Sequence, residues 1–170
     1  DEPTLQFVYE RKDKLLPAKT LRGALQHDFI SHIGAAVGNV DVYANAGAEY
    51  RIGWHLPQDF GTSAVRPGGD NSAPGAGDSR FAQSLSRIKG FHFFTALDAR
   101  AVAHNIFLDG NNFKASHSVA KEPWLAEISV GASLLLQGWK LSYAHVFQTK
   151  QFKRQNRHHE YGSLSVSYSF

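Results

Sequence analysis

The sequence predicts an all-β protein, an antiparallel transmembrane β-barrel, and three observations lead to this class. First, the closing stretch 161–170 alternates strictly, so a strand there has one apolar face and one hydroxyl face. The apolar face carries Leu164, Val166, Tyr168 and Phe170, with serines between them. Second, similar alternation recurs in long segments throughout the chain. Third, mean hydropathy is −0.33, and no apolar run approaches the ~20 residues that a membrane helix needs.

The closing stretch favours an outer-membrane barrel, although a strand of a soluble sandwich would also alternate. Its apolar face continues to the last residue, an aromatic, which is typical of a barrel strand with apolar side chains toward lipid and small polar ones toward the lumen. The length of 170 residues suits a single barrel domain, 1–170. The absence of cysteine excludes disulfides, and a net charge of +3 without a basic stripe argues against nucleic acid as a partner.

The first part of the chain contains two predicted strands. Residues 5–10 alternate and predict the first strand. Residues 12–23 carry Pro17 and several charges, which predicts a connection. Residues 24–37 alternate again and predict the second strand.

A tight turn and a long third strand follow. Gly38-Asn39 fits a two-residue hairpin turn, because such turns need residues that tolerate positive φ. Residues 41–54 then alternate without a break, and charges such as Glu49 and Arg51 fall only on one side. The segment is longer than strands in ordinary soluble sheets.

The middle of the chain holds two connections around a fourth strand. Residues 55–85 are rich in Gly, Pro, Asp and Ser and predict a long loop, which in a compact domain is functional or mobile. Strand character returns over 88–107. The block 105–119 then breaks the alternation and predicts a second loop.

The last third predicts three more strands, which makes about seven. Residues 124–136 alternate, Gln137-Gly138 turns the chain, and 139–147 alternate again. A polar, basic link over 149–160 leads to the closing strand. Bacterial single-chain barrels have an even number of strands, so we expect further strands upstream of this segment.

The positions of aromatic and charged residues agree with a barrel. Aromatic residues near strand ends, where a girdle is expected, are Tyr9, Trp54, Trp124, Trp139 and Tyr168. Charged residues on the opposite faces are Glu10, Glu49, Arg51, Asp98, Arg100, Glu127 and Lys140. Both signs are present, so a narrow lumen can neutralise itself by pairing.

Candidate site residues have both functional and structural interpretations. Asp109-Gly-Asn-Asn resembles part of a calcium loop but lacks the spacing of an EF-hand, so a turn-forming role is favoured. Ser116 and His117 are neighbours in sequence, which rarely produces a nucleophile and its base, and a self-bonded loop is favoured. The nine histidines show no metal-ligand spacing. Four cations of the 149–160 link either bind lipid phosphates or are merely solvated: Lys150, Lys153, Arg154 and Arg157.

The block 105–119, with Asn105-Ile-Phe-Leu-Asp-Gly-Asn-Asn-Phe and Ser-His-Ser-Val119, resembles a signature of the outer-membrane lipid A deacylases of the LpxR type. Shorter blocks also resemble that family, in consistent order: Gly38-Asn-Val, Tyr43-Ala-Asn-Ala-Gly-Ala-Glu49, Gly53-Trp-His-Leu-Pro57, Asp59-Phe-Gly61 and Thr149-Lys-Gln-Phe152. The resemblance implies a twelve-stranded, monomeric barrel in the bacterial outer membrane, of which this chain resembles the C-terminal part. It also implies a calcium-dependent esterase that removes the 3′-linked acyloxyacyl group of lipid A, the lipid anchor of lipopolysaccharide, among outer-membrane lipids.

The same resemblance places one active-site residue in this chain. The family's catalytic Asn and Asp, its small hydroxyl residue and its lysine match positions before residue 1, and its catalytic histidine lies shortly ahead of a glutamate that aligns with Glu2. Glu2 is therefore the candidate catalytic residue and calcium ligand, since Ca²⁺ takes six to eight oxygen ligands and polarises an ester carbonyl. Without the resemblance, Glu2 is a solvated terminal carboxylate. The chain by itself is expected to be inactive.

Two other functions remain open at this point. A non-catalytic outer-membrane barrel, either a narrow channel or a structural protein, predicts an open lumen and ion conductance. A soluble β-sandwich binding protein predicts that the chain stays in solution without detergent.

Overall fold

The computed structural model describes residues 3–62, 88–111 and 116–168. These form seven strands and one short helix: β1 Gln6–Arg22, β2 Leu25–Gly38, β3 Asp41–Trp54, β4 Ile88–Asn105, α1 Ile106–Asp109, β5 Trp124–Leu136, β6 Trp139–Gln148 and β7 His159–Tyr168. Each strand pairs antiparallel with the next, so the sheet order is the chain order, and the described sheet is not closed. No helix in the described part of the chain has the length and hydropathy needed to cross a bilayer. The predicted all-β antiparallel class is confirmed.

The sheet has a polar inner face and an apolar outer face. Buried side chains of the inner face include Asp28, Asn45, Arg51, His92, Asp98, Ser133 and Lys140. Large apolar side chains exposed on the outer face include Phe7, Ile33, Leu97, Val130, Leu164 and Val166. This arrangement is the reverse of a water-soluble protein and is the one a barrel strand adopts between lipid and lumen.

Most of the aromatic residues predicted to lie near strand ends do lie there, and their side chains are exposed. Trp54 ends β3, Trp124 begins β5 and Trp139 begins β6. Trp124 is 74% exposed, and the rings of Trp139 and Tyr168 lie 4.7 Å apart, centroid to centroid. Such ring positions suit the two polar interfaces of a membrane.

The predicted connection over 12–23 was wrong, because β1 runs without interruption from Gln6 to Arg22. Of the charges that suggested a loop, Lys12 belongs to the inner face, where it has a partner, whereas Asp13 forms an exposed pair with Arg11. Lys12 Nζ lies 3.3 Å from Glu10 Oε1, and both side chains are half-buried. A charged strand is therefore compatible with this sheet, since its interior is polar.

Pro17 is accommodated at an irregular part of β1. The pairing with β2 shifts register between Lys14 and Leu16 and again between Leu16 and Lys19. Proline cannot donate to a ladder, and it is tolerated at bulges and on edge strands. β1 is an edge of the described sheet, so both conditions are met.

Most other predicted boundaries hold to within two residues. β5 coincides with the predicted 124–136, and β7 begins at His159 rather than at 161. The predicted strand 88–107 ends at Asn105, and the start of the predicted loop 105–119 forms the four-residue α1. In the predicted loop 55–85, residues 55–62 form no strand, and the remainder lies outside the described residues.

The connections lie at the two ends of the strands, which we call the turn edge and the loop edge; they are distinct from the edge strands β1 and β7. The turn edge carries the tight turns at Gly23 and Gly138, whose φ angles of 57° and 72° glycine adopts without strain. The loop edge carries the turn at 39–40 and the longer connections 106–123 and 149–158.

Residues 55–62, which we call the plug segment, fold onto the inner face at the turn edge. Asp59 is fully buried there and accepts hydrogen bonds from Lys140 Nζ, at 2.7 Å, and from Arg51 Nη1. Arg51 also binds Asp28 of the neighbouring strand through two bonds of 2.8 and 2.5 Å. The fork of a guanidinium matches a carboxylate in this geometry. The predicted pairing of opposite charges in the interior is confirmed at this end.

The end of the plug segment is fixed by a second set of contacts. The Thr62 amide donates to both oxygens of Glu49, each at 2.9 Å. The Thr62 hydroxyl lies 3.2 Å from His92 Nε2. Charged and polar groups from β3, β4 and β6 therefore hold this segment against the sheet.

Candidate functional site

A pocket of about 640 Å³ opens on the inner face at the loop edge. Its polar lining includes Gln6, Asp41, Tyr43, Arg100, Glu122, Glu127, Gln148 and Gln151. Its apolar lining includes Val8, Val40, Val102, Leu108, Leu125 and Tyr161. Polar groups therefore face an apolar wall, which suits an amphiphilic ligand.

Residues of β1, β3 and β4 form one side of the polar lining of the pocket. Asp41 pairs with Asn105, and Asn45 pairs with Arg100, in the register of β3 and β4. Gln6 of β1 reaches across β2 to β3: its Nε2 donates to the Asp41 carbonyl at 2.7 Å, and its Oε1 accepts from the Asp41 amide at 3.1 Å. These bonds fix the backbone at the start of β3.

Arg100 is held in place by an aromatic ring and a carboxylate. Its guanidinium carbon lies 4.9 Å from the centroid of the Tyr43 ring, a cation–π distance. Its Nη2 lies 3.4 Å from Asp98 Oδ1. The other oxygen of Asp98 is bound by His32 and Asn45, at 2.8 and 3.2 Å. The arginine is thus positioned before any ligand arrives.

Two buried polar atoms of the pocket have no hydrogen-bond partner among the described residues: Asp41 Oδ1 and Arg100 Nε. Buried polar atoms normally form hydrogen bonds, and a buried polar atom without one costs about 1–3 kcal/mol in stability. Both residues line the pocket, so an acceptor atom and a donor atom without partners lie beside it.

The charge of the pocket argues against an anion inside it. The lining contains three carboxylates, of Asp41, Glu122 and Glu127, against one guanidinium. Glu127 also binds Gln148 Nε2 at 3.2 Å. An uncharged polar group fits this lining better than a phosphate does.

The start of the connection after β4 is ordered by Asp109. Its carboxylate accepts from the Asn105 amide at 2.8 Å and from Lys121 Nζ at 2.6 and 2.7 Å. The Asn105 side chain caps α1 by accepting from the Phe107 amide at 2.9 Å. Partial burial raises the pKa of Asp109, but the bonds from Lys121 and Asn105 outweigh it and leave the pKa below its ordinary value.

Replacing Asp109 with asparagine is expected to loosen this connection. The pair with Lys121 is partly exposed, so we expect a loss of about 1 kcal/mol in the free energy of unfolding, together with faster proteolysis within 106–123. Limited proteolysis of the complete protein in detergent measures the second effect. Ser118→Ala, an exposed change in the same connection, is the control. Equal cleavage rates for Asp109→Asn and wild type would contradict the role of Asp109.

The structure describes some of the candidate site residues predicted from the sequence and leaves Glu2 undescribed. Glu2 lies outside the described residues, so its predicted roles are untested. Ser116 Oγ accepts from the Asn111 amide at 2.7 Å, which agrees with a self-bonded loop. Within the described ranges, no group of three or more acidic or histidine side chains is placed to hold a metal ion. The four cations of the 149–158 connection lie at the loop edge.

The pocket itself was not predicted from the sequence. Arg100 was assigned to the polar face of its strand, which was correct, and Asp41 lies on the side of β3 to which Glu49 and Arg51 were assigned. Their proximity depends on the register of β3 and β4. The sequence does show that Asp41 lies near the start of one predicted strand and Arg100 near the end of the next. This places them close together only once the two strands are known to be neighbours.

Comparison with known proteins gives one family and one solved structure. A family model described as "Outer membrane protein LpxR" matches residues 1–170. The structure described as "LpxR from Salmonella typhimurium" is similar in fold, with a TM-score of 0.69 and 17% sequence identity. The match covers 97% of this chain and 52% of that one, so the chain spans about half the length of that structure. No curated protein matches the sequence significantly.

Proposed function

The chain belongs to the LpxR family of outer membrane proteins, and on that basis we propose that it forms part of a calcium-dependent lipid A deacylase. The proposed reaction is hydrolysis of the ester that links the 3′-acyloxyacyl group to lipid A. Its location in the outer membrane follows from the family. The soluble sandwich that the sequence left open is wrong, since the family and the exposed apolar outer face both place the chain in a membrane.

We assign the loop edge to the extracellular side. Barrels of bacterial outer membranes have short periplasmic turns and longer extracellular loops, and the tight turns at Gly23 and Gly138 lie on the turn edge. The pocket then opens toward the outer leaflet, where lipopolysaccharide resides. The connection that follows β3 departs from this rule, and its described part is the plug segment.

The observation that carries the proposal is the amphiphilic lining of the pocket. An acyl chain would contact the apolar wall formed by Val8, Val102 and Leu125. The guanidinium of Arg100 and the carboxylate of Asp41, which line the pocket, would bind a carbonyl oxygen and a hydroxyl or amide N–H at the head of that chain. A glycolipid carries all of these groups.

Calcium and the role of Glu2 are part of the proposal. Within the described ranges, no three acidic or histidine side chains converge on a common point. We propose that Glu2 is one calcium ligand and that further ligands come from outside the described residues. We assign no reaction step to the ion.

The remaining catalytic groups are expected in the part of the family barrel that this chain does not span. The chain covers 52% of the solved family structure. We propose that the seven strands and the further strands form one barrel domain and act as a monomer.

The plug segment disfavours the alternative of an ion channel. A channel needs an open lumen, whereas Asp59, Arg51 and Lys140 pair across the inner face at the turn edge. Planar-bilayer recordings of the complete protein are expected to show no steady conductance.

The test is the mass of lipid A after incubation with the complete protein in detergent and calcium. We expect the loss of one acyloxyacyl group, and no loss when the calcium is chelated. Lipid A that keeps its mass with calcium present, while the protein is folded, would refute the proposed reaction.

Within this test, Arg100→Gln is expected to lower kcat/KM by roughly 10–100-fold. A hydrogen bond from a charged donor is worth about 1.5–3 kcal/mol, and the glutamine lacks the charge. Arg11→Gln removes an arginine from an exposed ion pair with Asp13 and is the matched control. Thermal unfolding of both variants separates loss of binding from loss of fold. Equal kcat/KM for Arg100→Gln and Arg11→Gln would remove Arg100 from the site.

A further inference from the structure

The connection 149–158, which we call the rim loop, is an ordered part of the loop edge. It pairs with the connection after β4: the Lys153 amide donates to Ala120 at 2.9 Å, and the Glu122 amide donates to Gln151 at 2.8 Å. At its base, the Thr149 amide and hydroxyl bind Ala126 of β5, both at 2.9 Å. The loop therefore presents its side chains from a fixed backbone.

The rim loop concentrates positive charge. It holds Lys150, Lys153, Arg154 and Arg157 and contains no acidic residue. The whole chain has a net charge of +3, so these four cations exceed it and the remainder is close to neutral. Lys153, Arg154 and Arg157 are exposed, and none of the four forms an ion pair with another residue in the described part of the chain.

The rim loop adjoins the pocket, and the two have opposite charge. Gln151 of the loop and Gln148 just before it line the pocket and are joined by a bond of 2.6 Å. The pocket contains three carboxylates and one arginine, whereas the adjoining loop is purely cationic. A ligand with an uncharged part and an anionic part would be oriented by this difference.

We propose that the rim loop binds the phosphate groups of lipid A and so orients the lipid with its acyl ester toward the pocket. Lysine and arginine both bind phosphate, and arginine does so with two donors. The inference deepens the proposed function and rests on it for the identity of the lipid. Arg157 and Lys153 act here as substrate-binding residues rather than in the chemical step.

The experiment compares two matched double variants of the complete protein. Lys153→Gln with Arg157→Gln removes one lysine and one arginine from the rim loop. Lys19→Gln with Arg22→Gln removes the same two charges from exposed positions near the turn edge. Binding of bis-phosphorylated and of dephosphorylated lipid A is titrated in neutral detergent with the calcium chelated, and acyl release is then measured with calcium.

For bis-phosphorylated lipid A, we expect the rim-loop variant to raise Kd and KM about tenfold, since each cation near a lipid phosphate contributes appreciably. We expect kcat to be unchanged and dephosphorylated lipid A to bind all variants equally. Added salt should weaken wild-type binding more than that of the rim-loop variant. The titration is repeated in bilayers with and without phosphatidylglycerol, and an effect confined to bilayers that contain this lipid would overturn the proposal, because the phosphate would then come from neighbouring lipids instead of from the substrate.

The inference and the proposed function fail in different ways. If neither the wild type nor the variants release acyl chains, but lipid binding still depends on phosphate and on the rim loop, the inference stands and the proposed enzyme activity does not. If the rim-loop variant binds both lipids as the wild type does in micelles and bilayers, or loses affinity equally for both lipids, the inference is overturned.

Discussion

Replacing Asp59 with alanine is expected to lower the free energy of unfolding by about 3–5 kcal/mol. Asp59 is fully buried and is the partner of both Lys140 and Arg51. Without it, Lys140 keeps only the carbonyl of Gly61, at 3.0 Å, and a buried ammonium without a counter-charge is costly. Urea unfolding of the complete protein in phospholipid vesicles, followed by tryptophan fluorescence, measures the change.

Two further variants test the reason for this loss. Gln58→Ala changes an exposed neighbour in the plug segment and is expected to cost less than about 0.5 kcal/mol. Asp59→Leu combined with Lys140→Met removes both charges of one pair, so most of the stability should return, while Arg51 keeps Asp28. A loss below about 1 kcal/mol for Asp59→Ala would mean that these ion pairs do not hold the segment.

The lowered pKa of Asp59 predicts how the stability of the protein depends on pH. Burial raises the pKa of Asp59, but the charges of Lys140 and Arg51 outweigh it and lower the pKa from 3.8 to about 2. A lowered pKa means that Asp59 contributes stability above 3.8, which is lost as the pH falls through about 2. Between these values, wild type should therefore lose more stability than Asp59→Asn, which has no charge to lose. Parallel pH curves for the two proteins would contradict this assignment.

Replacing Glu2 with glutamine is expected to lower lipid A deacylation by about 100-fold or more at a fixed calcium concentration, as for the loss of other groups that stabilise developing charge. A neutral amide is a weaker ligand for a hard cation than a carboxylate. Initial rates of acyl release, measured over a range of calcium concentrations with the complete protein, test this expectation.

The calcium titration separates two roles for Glu2. Partial recovery of Glu2→Gln at high calcium would support a ligand role, whereas an equal loss at every concentration would indicate a role in proton transfer. Asp13→Asn removes a carboxylate from an exposed pair with Arg11 and should leave the rate unchanged. Wild-type rates for Glu2→Gln would remove Glu2 from the site.

The sequence was sufficient for strands whose apolar and polar faces differ clearly in local sequence. β5 and β7 were predicted to within two residues because apolar and polar residues alternate along most of each strand. The charged half of β1 was missed because Lys12 depends on Glu10 and on a polar interior. A local pattern contains no information about such an interior.

The site was less predictable because it is built from distant parts of the chain. Asp59 and Lys140 are 81 residues apart, and no local signal links them. Asp41 and Arg100 meet through the register between β3 and β4. The charge of the rim loop was predictable from the sequence, because its four cations lie close together along the chain. The choice between solvation and phosphate binding needed its ordered backbone and its position beside the pocket.

The open edges of the sheet constrain how the protein enters a membrane. β1 and β7 each have one neighbouring strand in the described sheet, and they are 17 and 10 residues long. In hydrocarbon, each backbone group without a partner costs several kcal/mol, so two bare edges of this length would cost on the order of tens of kcal/mol. Neither edge can therefore enter lipid before a further strand pairs with it. Insertion and closure must therefore be coupled. This coupling is imposed by the hydrogen bonding of the edge strands and not by hydrophobicity.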